Sequence, residues 1–279
     1  MNTSKVFVVM TCFNRKEYTT KCIKTMAEGN PAIHFSFVVV DDASTDGTAE
    51  ALFEMKQDIQ LDIKVIRGNG NLFWNGGMHQ GLEYVLNSQE EYDYCMLVND
   101  DVVFTDHALE RLIARQQSNP GSVVVGATQD GNDVMSYGGV KCLSKHRAKF
   151  SLMEPSAEIR ECDTFNGNCV LIARDLLQQI GNVDPHYIHS MSDYDYGMHI
   201  RRIGIPIINS EDFVGICRDN DVDGSWRDPK IPRWDRVKRK ESPKGLPFKD
   251  WFYFIYKNYG VLNAVYHSAT PYLRILLKR

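Results

Sequence analysis

Adjacent acids placed directly after an apolar run can hold a hard divalent cation, and the chain presents two such pairs. Asn99-Asp100-Asp101 follows the apolar residues 94–98. Carboxylates at a strand end can share Mg2+ or Mn2+ with the oxygens of a diphosphate, whose departure needs a counter-charge. Taken alone, the same residues also make an ordinary solvated turn. Asp41-Asp42 follows residues 35–40 and precedes Ser44-Thr45-Asp46. Its carboxylates either accept hydrogen bonds from a base or ribose, or lie beside a helix that Ser44 and Asp46 cap. A third feature is the loop 68–77, GNGNLFWNGG, whose glycines let backbone amides approach a phosphate or sugar at a helix N-terminus. Within it Trp74 either stacks on a ligand ring or anchors the loop in the core.

Strands are expected at 5–10, 35–40, 63–66, 94–98 and 122–127. Helices are expected over 18–26, behind the Ser44-Thr45-Asp46 cap through Met55, over 78–86, and behind a Thr105 cap. This alternation implies an α/β fold, with a mostly parallel sheet covered by helices on both faces. Such sheets bind ligands beyond their carboxyl ends, so residues 11–15, 41–42, 68–77 and 99–101 converge on one rim. Residues 130–174 read as short strands and loops. Helices follow at 175–180 and 193–203, then a strand at 205–209, a Pro-rich basic loop, and an aromatic helix at 251–259.

With 279 residues, 43% hydrophobic and 24% charged, the composition excludes disorder, collagen-like repeats and a small disulfide scaffold. The formal net charge of −4 argues against nucleic acid as a partner. The charge is unevenly spread, because residues 226–279 hold 13 basic and 4 acidic residues and leave a net −13 on 1–225. Basic residues there, such as Arg233, Arg236, Lys238 and Lys244, alternate with Trp226, Trp234 and Trp251. That segment suits an anionic membrane surface or a lipid-linked diphosphate acceptor. Alternatively it packs on the remainder of the chain or forms a homodimer contact, with its lysines in solvent. Seven cysteines without a CxxC pair point to reduced, mostly buried thiols. With no apolar run near 18 residues and no signal-like N-terminus, a cytoplasmic protein is expected, peripheral at the inner face of a membrane if the basic segment lies on lipid.

Residues 11–15 (TCFNR), 40–48 and 97–101 together resemble the three N-terminal signatures of glycosyltransferase family 2, whose members have the GT-A fold. Residues 165–172 and 180–184 resemble the family's mid-chain acceptor segment, and Ser192-Asp193-Tyr194-Asp195 falls where members carry Glu-Asp-x-Asp. The resemblance implies a catalytic domain over 1–225, with a nucleotide-binding half (1–128) and an acceptor half (129–225). Residues 226–279 then form a basic, aromatic helical extension.

Carried across by position, the resemblance implies that Asp42 or Asp41 contacts the nucleoside, with Thr11, Phe13, Asn14 and Arg15 around it. Asp101 becomes the Mn2+ or Mg2+ ligand, Asn99 stands in for the usual first Asp, and Asp100 reaches the donor ribose or sugar. Asn71, Trp74, Gly76 and Gly77 loosely resemble a donor-site segment of rhamnosyltransferases. Asp193 becomes the general base, and Asn166 and Gly167 lie on the acceptor side. The implied reaction is an inverting displacement from a UDP- or dTDP-linked sugar to a saccharide or lipid-linked acceptor in bacterial cell-surface polysaccharide synthesis.

The departures are Asn99, Ser192 in place of an acid, and His199 in place of an Arg. They admit a non-catalytic glycan-binding relative as an alternative. A sugar nucleotidyltransferase fits less well, because residues 11–14 contain no glycine. Asp195 is expected to be structural, pairing with Arg201 or capping its helix, and His199 to be a partly buried helix residue. With no His between 200 and 226, the cation is expected either to take the sulfur of Cys217 or to lack a third protein ligand.

Overall fold

A computed structural model describes residues 3–58, 61–218 and 223–277. The first half alternates β1 (Ser4–Cys12), α1 (Lys16–Gly29), β2 (Ile33–Asp41), α2 (Thr48–Asp58), β3 (Asp62–Arg67), α3 (Phe73–Asn87) and β4 (Tyr94–Val98). Then come β5 (Val103–Phe104), α4 (Ala108–Ser118), β6 (Val123–Gln129), β7 (Met135–Tyr137), β8 (Gly139–Cys142) and β9 (Phe150–Met153). Next are β10 (Glu161–Cys162), β11 (Thr164–Phe165), β12 (Cys169–Ala173), α5 (Arg174–Ile180), α6 (Ser192–Arg202) and β13 (Ile207–Ile216). The chain closes with α7 (Arg233–Glu241), α8 (Phe248–Tyr259) and α9 (Val261–Leu276).

The main sheet runs in the order β10-β13-β6-β12-β4-β1-β2-β3, and β8, β9 and β11 form a small second sheet. The central strands read as continuous apolar runs because both their faces are covered. Along β1, Val6, Val8 and Met10 face a core shared with Cys22, Ile23 and Met26 of α1, whereas Phe7 and Val9 face Met78, Leu82 and Val85 of α3. Gly81 permits that second contact, since a Cβ on it would lie 2.4 Å from Val9.

The periodicity does not reveal that β12 runs antiparallel between β4 and β6. Its register pairs Cys169 with Val98. The start of β12 therefore meets the end of β4, and the amide of Asn99 donates to the carbonyl of Asn168 at 3.2 Å. This reversal brings residues 166–168 to the rim where β1, β2 and β4 end.

Several boundaries differ from expectation. Thr105 does not cap α4; its amide and hydroxyl both donate to the Val214 carbonyl, and α4 begins after His107 in a left-handed conformation. Helix α3 starts at Phe73, so Trp74–Gly77 form its first turn. The basic segment holds α7 and α9 besides the expected aromatic helix.

Helices α8 and α9 pack on the preceding part of the chain through a third core, where Phe254, Ile255 and Ala264 meet Tyr187, Phe150 and Tyr194. Lys257 of α8 reaches Asp195 at 2.6 Å and Asp184 at 2.8 Å. Asp195 is thus structural, but its partners are Lys257 and Asn258; Arg201, the expected partner, pairs with Glu161 instead. Pro271 inside α9 removes the N–H that would bond the His267 carbonyl. That carbonyl accepts from the Trp251 indole and the Thr270 hydroxyl, each at 3.0 Å. No helix among the described residues is long and apolar enough to cross a membrane.

Candidate functional site

Two adjoining hollows open beyond the carboxyl ends of β1, β2 and β4. The first, of 320 Å³, is lined by Thr11, Phe13, Arg15, Asp42, Gly70 and residues 99–101. The second, of 630 Å³, is lined by Asn166, Gly167, Asp193 and Tyr194 and roofed by α8 and α9. Trp74, Asn99, Asn168, His189 and Lys244 border both. Residues 42, 101 and 193, far apart in the chain, therefore face one two-lobed crevice.

In the first lobe Asp42 organises the loop beneath it. Its buried carboxylate accepts from the amides of Gly70 (2.7 Å), Leu72 (2.9 Å) and Phe73 (3.1 Å). Asp41 is buried too, with one oxygen accepting from the Ser44 amide at 3.0 Å. The described contacts of Asp42 are thus with its own chain. Asp42→Ala leaves those amides without their acceptor and is expected to cost about 2–4 kcal/mol. The melting temperature should fall by roughly 5–10 °C, measured by thermal denaturation; an unchanged value would remove this role.

Arg15 lies against the acids that follow β4. Its guanidinium is 2.7 Å from Asp101 and 3.4 Å from Asp100. Burial pushes the Asp100 carboxyl up to about 6, with Arg15 opposing the shift. Cys217 donates its thiol to Asp101 at 3.3 Å, and burial raises that thiol far above its ordinary range. It is a neutral neighbour of Asp101. The side-chain oxygen of Asn99 accepts from the Trp74 indole at 2.8 Å. Trp74 is thereby fixed as the partition between the lobes, with Gly167 so close that a Cβ there would lie 2.4 Å from the ring.

Among the described residues no group of three His, Cys, Asp or Glu side chains could hold a metal ion. Asp100 and Asp101 are nevertheless hard oxygen donors on the cavity wall. One or two carboxylates completed by diphosphate oxygens and water match how Mg2+ is held with substrate phosphates. The donor set fits a cation that arrives with its substrate.

In the second lobe Asp193 stands in the first turn of α6. One of its oxygens accepts from the Tyr194 amide (2.8 Å) and the other from the Gly167 amide (3.2 Å). Burial raises its carboxyl to about 6 in spite of these donors. Ser192, which stands in place of the acid that the resemblance implied, donates to Asn75. The buried Asn75 amide donates in turn to the Tyr187 carbonyl at 2.7 Å, which ties α6 to α3.

Not every expected site residue borders the crevice. Asn14 joins two loops by accepting from the Thr45 amide at 2.7 Å, and the amide of Asn71 donates to the Asn69 side-chain oxygen at 2.9 Å. Gly76 packs on Leu72, and Gly77 packs so tightly on Thr11 that a Cβ would lie 2.2 Å from its hydroxyl. Gly77 serves helix–strand contact. His199 bonds the Ile180 carbonyl at 3.1 Å and borders neither lobe. Of the acids within 219–223, all but Asp223 lie outside the described residues.

Sequence reasoning missed His189, Asn75 and Asn168, and named Lys244 only as one of the basic residues of the C-terminal segment. His189 accepts the Trp74 amide at 3.4 Å, and burial together with nearby Lys244 lowers it to about 4, so it is neutral. Asn75 and Asn168 sat inside motifs already singled out. No spacing signal marks His189 or Lys244.

Comparison with known proteins agrees with this geometry. The model of the family described as "Glycosyl transferase family 2" matches residues 7–181. The poly-beta-1,6-N-acetyl-D-glucosamine synthase of Staphylococcus epidermidis is 22% identical over 167 residues, which cover 58% of this chain. The chain spans only 38% of that synthase. Among solved structures, the mannosyltransferase PcManGT from Pyrobaculum calidifontis, in complex with GDP-Man and Mn2+, superposes with a TM-score of 0.59 at 15% identity, covering 98% of this chain and 74% of its own. S. aureus TarS 1–349 in complex with UDP-GlcNAc gives 0.59 at 15% identity, with 98% and 72% covered. These likenesses establish an α/β, GT-A-like fold.

Proposed function

The chain belongs to glycosyl transferase family 2, and from that premise we propose that it moves a hexosyl or deoxyhexosyl group, with inversion, from a UDP- or dTDP-linked donor to a saccharide or lipid-linked acceptor in bacterial cell-surface polysaccharide synthesis. The observation that carries this reading is the shared wall of the two lobes. Asp101 on one side and Asp193 on the other both border space that Trp74 and Asn99 line.

In this reading the nucleotide enters the first lobe against Thr11 and Phe13, and Arg15 supplies positive charge near its diphosphate. Trp74 positions the sugar between the lobes. Asp193 accepts the proton of the acceptor hydroxyl as that oxygen attacks the anomeric carbon. Mn2+ or Mg2+ held at Asp101 with the donor would neutralise charge on the departing nucleoside diphosphate. A lipid-linked acceptor would bring the enzyme to a membrane surface.

The test is a thermal-shift screen of uridine, thymidine and guanosine diphosphates and their sugars with and without Mn2+, followed by donor-hydrolysis assays. A uridine or thymidine sugar is expected to raise the melting temperature, since a ligand at about 100 times its Kd adds about 2.7 kcal/mol. Asp101→Ala should lose the Mn2+-dependent part of both signals. No shift and no hydrolysis with any donor would overturn the reading.

A further inference from the structure

The lobe that holds Asp193 carries more positive charge than a neutral sugar hydroxyl requires. Arg227, Lys244 and Arg274 line it, against one carboxylate, Asp193. Among the described residues none of these three cations forms an ion pair or a side-chain hydrogen bond. Other cations nearer the core are satisfied: Arg15 pairs with Asp100 and Asp101, Lys257 with Asp184 and Asp195, and Arg115 with backbone carbonyls.

All three are exposed, and Arg227 and Lys244 rise from fixed supports. The Arg227 guanidinium lies 5.3 Å from the ring centre of Trp226, which is buried. Lys244 sits in a tight turn whose next residue, Gly245, admits no side chain, because a Cβ would lie 2.1 Å from the Arg239 carbonyl. The Gly245 carbonyl also accepts from Ser190 at 2.6 Å, which fastens that turn to the loop leading into α6 and Asp193. Arg274 follows Pro271 on α9. Like charges gathered without partners repel one another, and an anion with several oxygens would relieve that repulsion and accept forked guanidinium hydrogen bonds.

The donor's own diphosphate is a poor candidate for that anion. Lys244 borders both lobes, but Arg227 and Arg274 border only the second lobe and a further hollow of 530 Å³ that continues from it past Tyr266, Leu273 and Leu277. We infer that the acceptor carries a phosphate ester or diphosphate, bound by Arg227, Lys244 and Arg274 beside Asp193. This rests on the reading of the Asp193 lobe as the acceptor side.

The probe is inorganic pyrophosphate, titrated calorimetrically into the full chain with EDTA present. Binding is expected, weakened about tenfold or more in Arg227→Ala/Arg274→Ala and changed less than about threefold in Lys238→Ala, an exposed lysine that borders neither lobe. Melting curves check that each variant is folded, and Arg274→Gln alone should weaken binding in the same direction. No binding, or binding kept at wild-type strength in the double variant, would overturn the inference. The source of the phosphate is separated by sedimentation with phosphatidylcholine vesicles, plain or containing phosphatidylglycerol. Capture by the anionic vesicles that the double variant loses supports a lipid-linked phosphate, whereas pyrophosphate binding without capture supports a soluble or polymeric one. Pyrophosphate binding in a protein that hydrolyses no nucleotide sugar would remove the proposed function and leave the anion site standing. Turnover of a nucleotide sugar without pyrophosphate binding would remove the anion site alone.

Discussion

Asp193→Asn is expected to lower sugar transfer by about 10²–10⁴-fold, the usual contribution of a positioned general base. Binding of the nucleoside diphosphate should be kept, because Asp193 borders the second lobe and not the first. The wild-type rate should also show an acid limb near pH 6, where burial places the carboxyl, falling about tenfold per pH unit below it. The same burial acts on stability. The folded-state value lies above the ordinary 3.8, so the folded protein holds this proton more tightly than the unfolded chain does. The stabilisation is complete below about pH 4 and is lost as pH rises through about 6. At pH 8 the Asn variant, which never ionises, should therefore match or exceed the wild type, by at most about 1–2 kcal/mol once solvent in the cavity is allowed for. A variant that turns over at the wild-type rate would end the assignment of Asp193 as base.

Lys257→Met should have the largest effect on stability. It leaves the Asp195 carboxylate, which is 2% exposed, without a counter-charge and with only Asn258 beside it, and removes the cation paired with Asp184. Breaking a buried pair from one side costs about 3–5 kcal/mol, because an uncompensated charge stays behind. The melting temperature should drop by roughly 6–15 °C. Asp195→Asn added to Lys257→Met should recover part of the loss, since the stranded charge is gone. A single variant that melts within a degree of wild type would mean that α8 is not fastened to α6 by this pair.

The rim of the first lobe was legible in the sequence because buried parallel strands write themselves as apolar runs, and the polar residue after each run must lie at a strand end. That logic located Thr11, Phe13, Arg15, Asp42 and residues 99–101, though it also drew in Asn14 and Asp41, which do not border the lobe. It could not reveal that β12 is reversed, since a strand covered on both faces looks alike in either direction. It also took Gly77 for a ligand contact when its missing side chain serves packing on Thr11. Partners such as Lys257 for Asp195, 62 residues apart, leave no periodic trace. Nor did His189 and Lys244, which reach the crevice from loops with no repeating pattern.

The carbonyl that Pro271 frees in α9 works as an alignment mark. A slide of α9 along α8 by one helical turn would leave the Trp251 indole without a mate and the His267 oxygen with only the Thr270 hydroxyl of its own helix, which disfavours any other seating. The roof over the Asp193 lobe is consequently keyed to one position, and the shape it offers an incoming molecule is set before that molecule arrives.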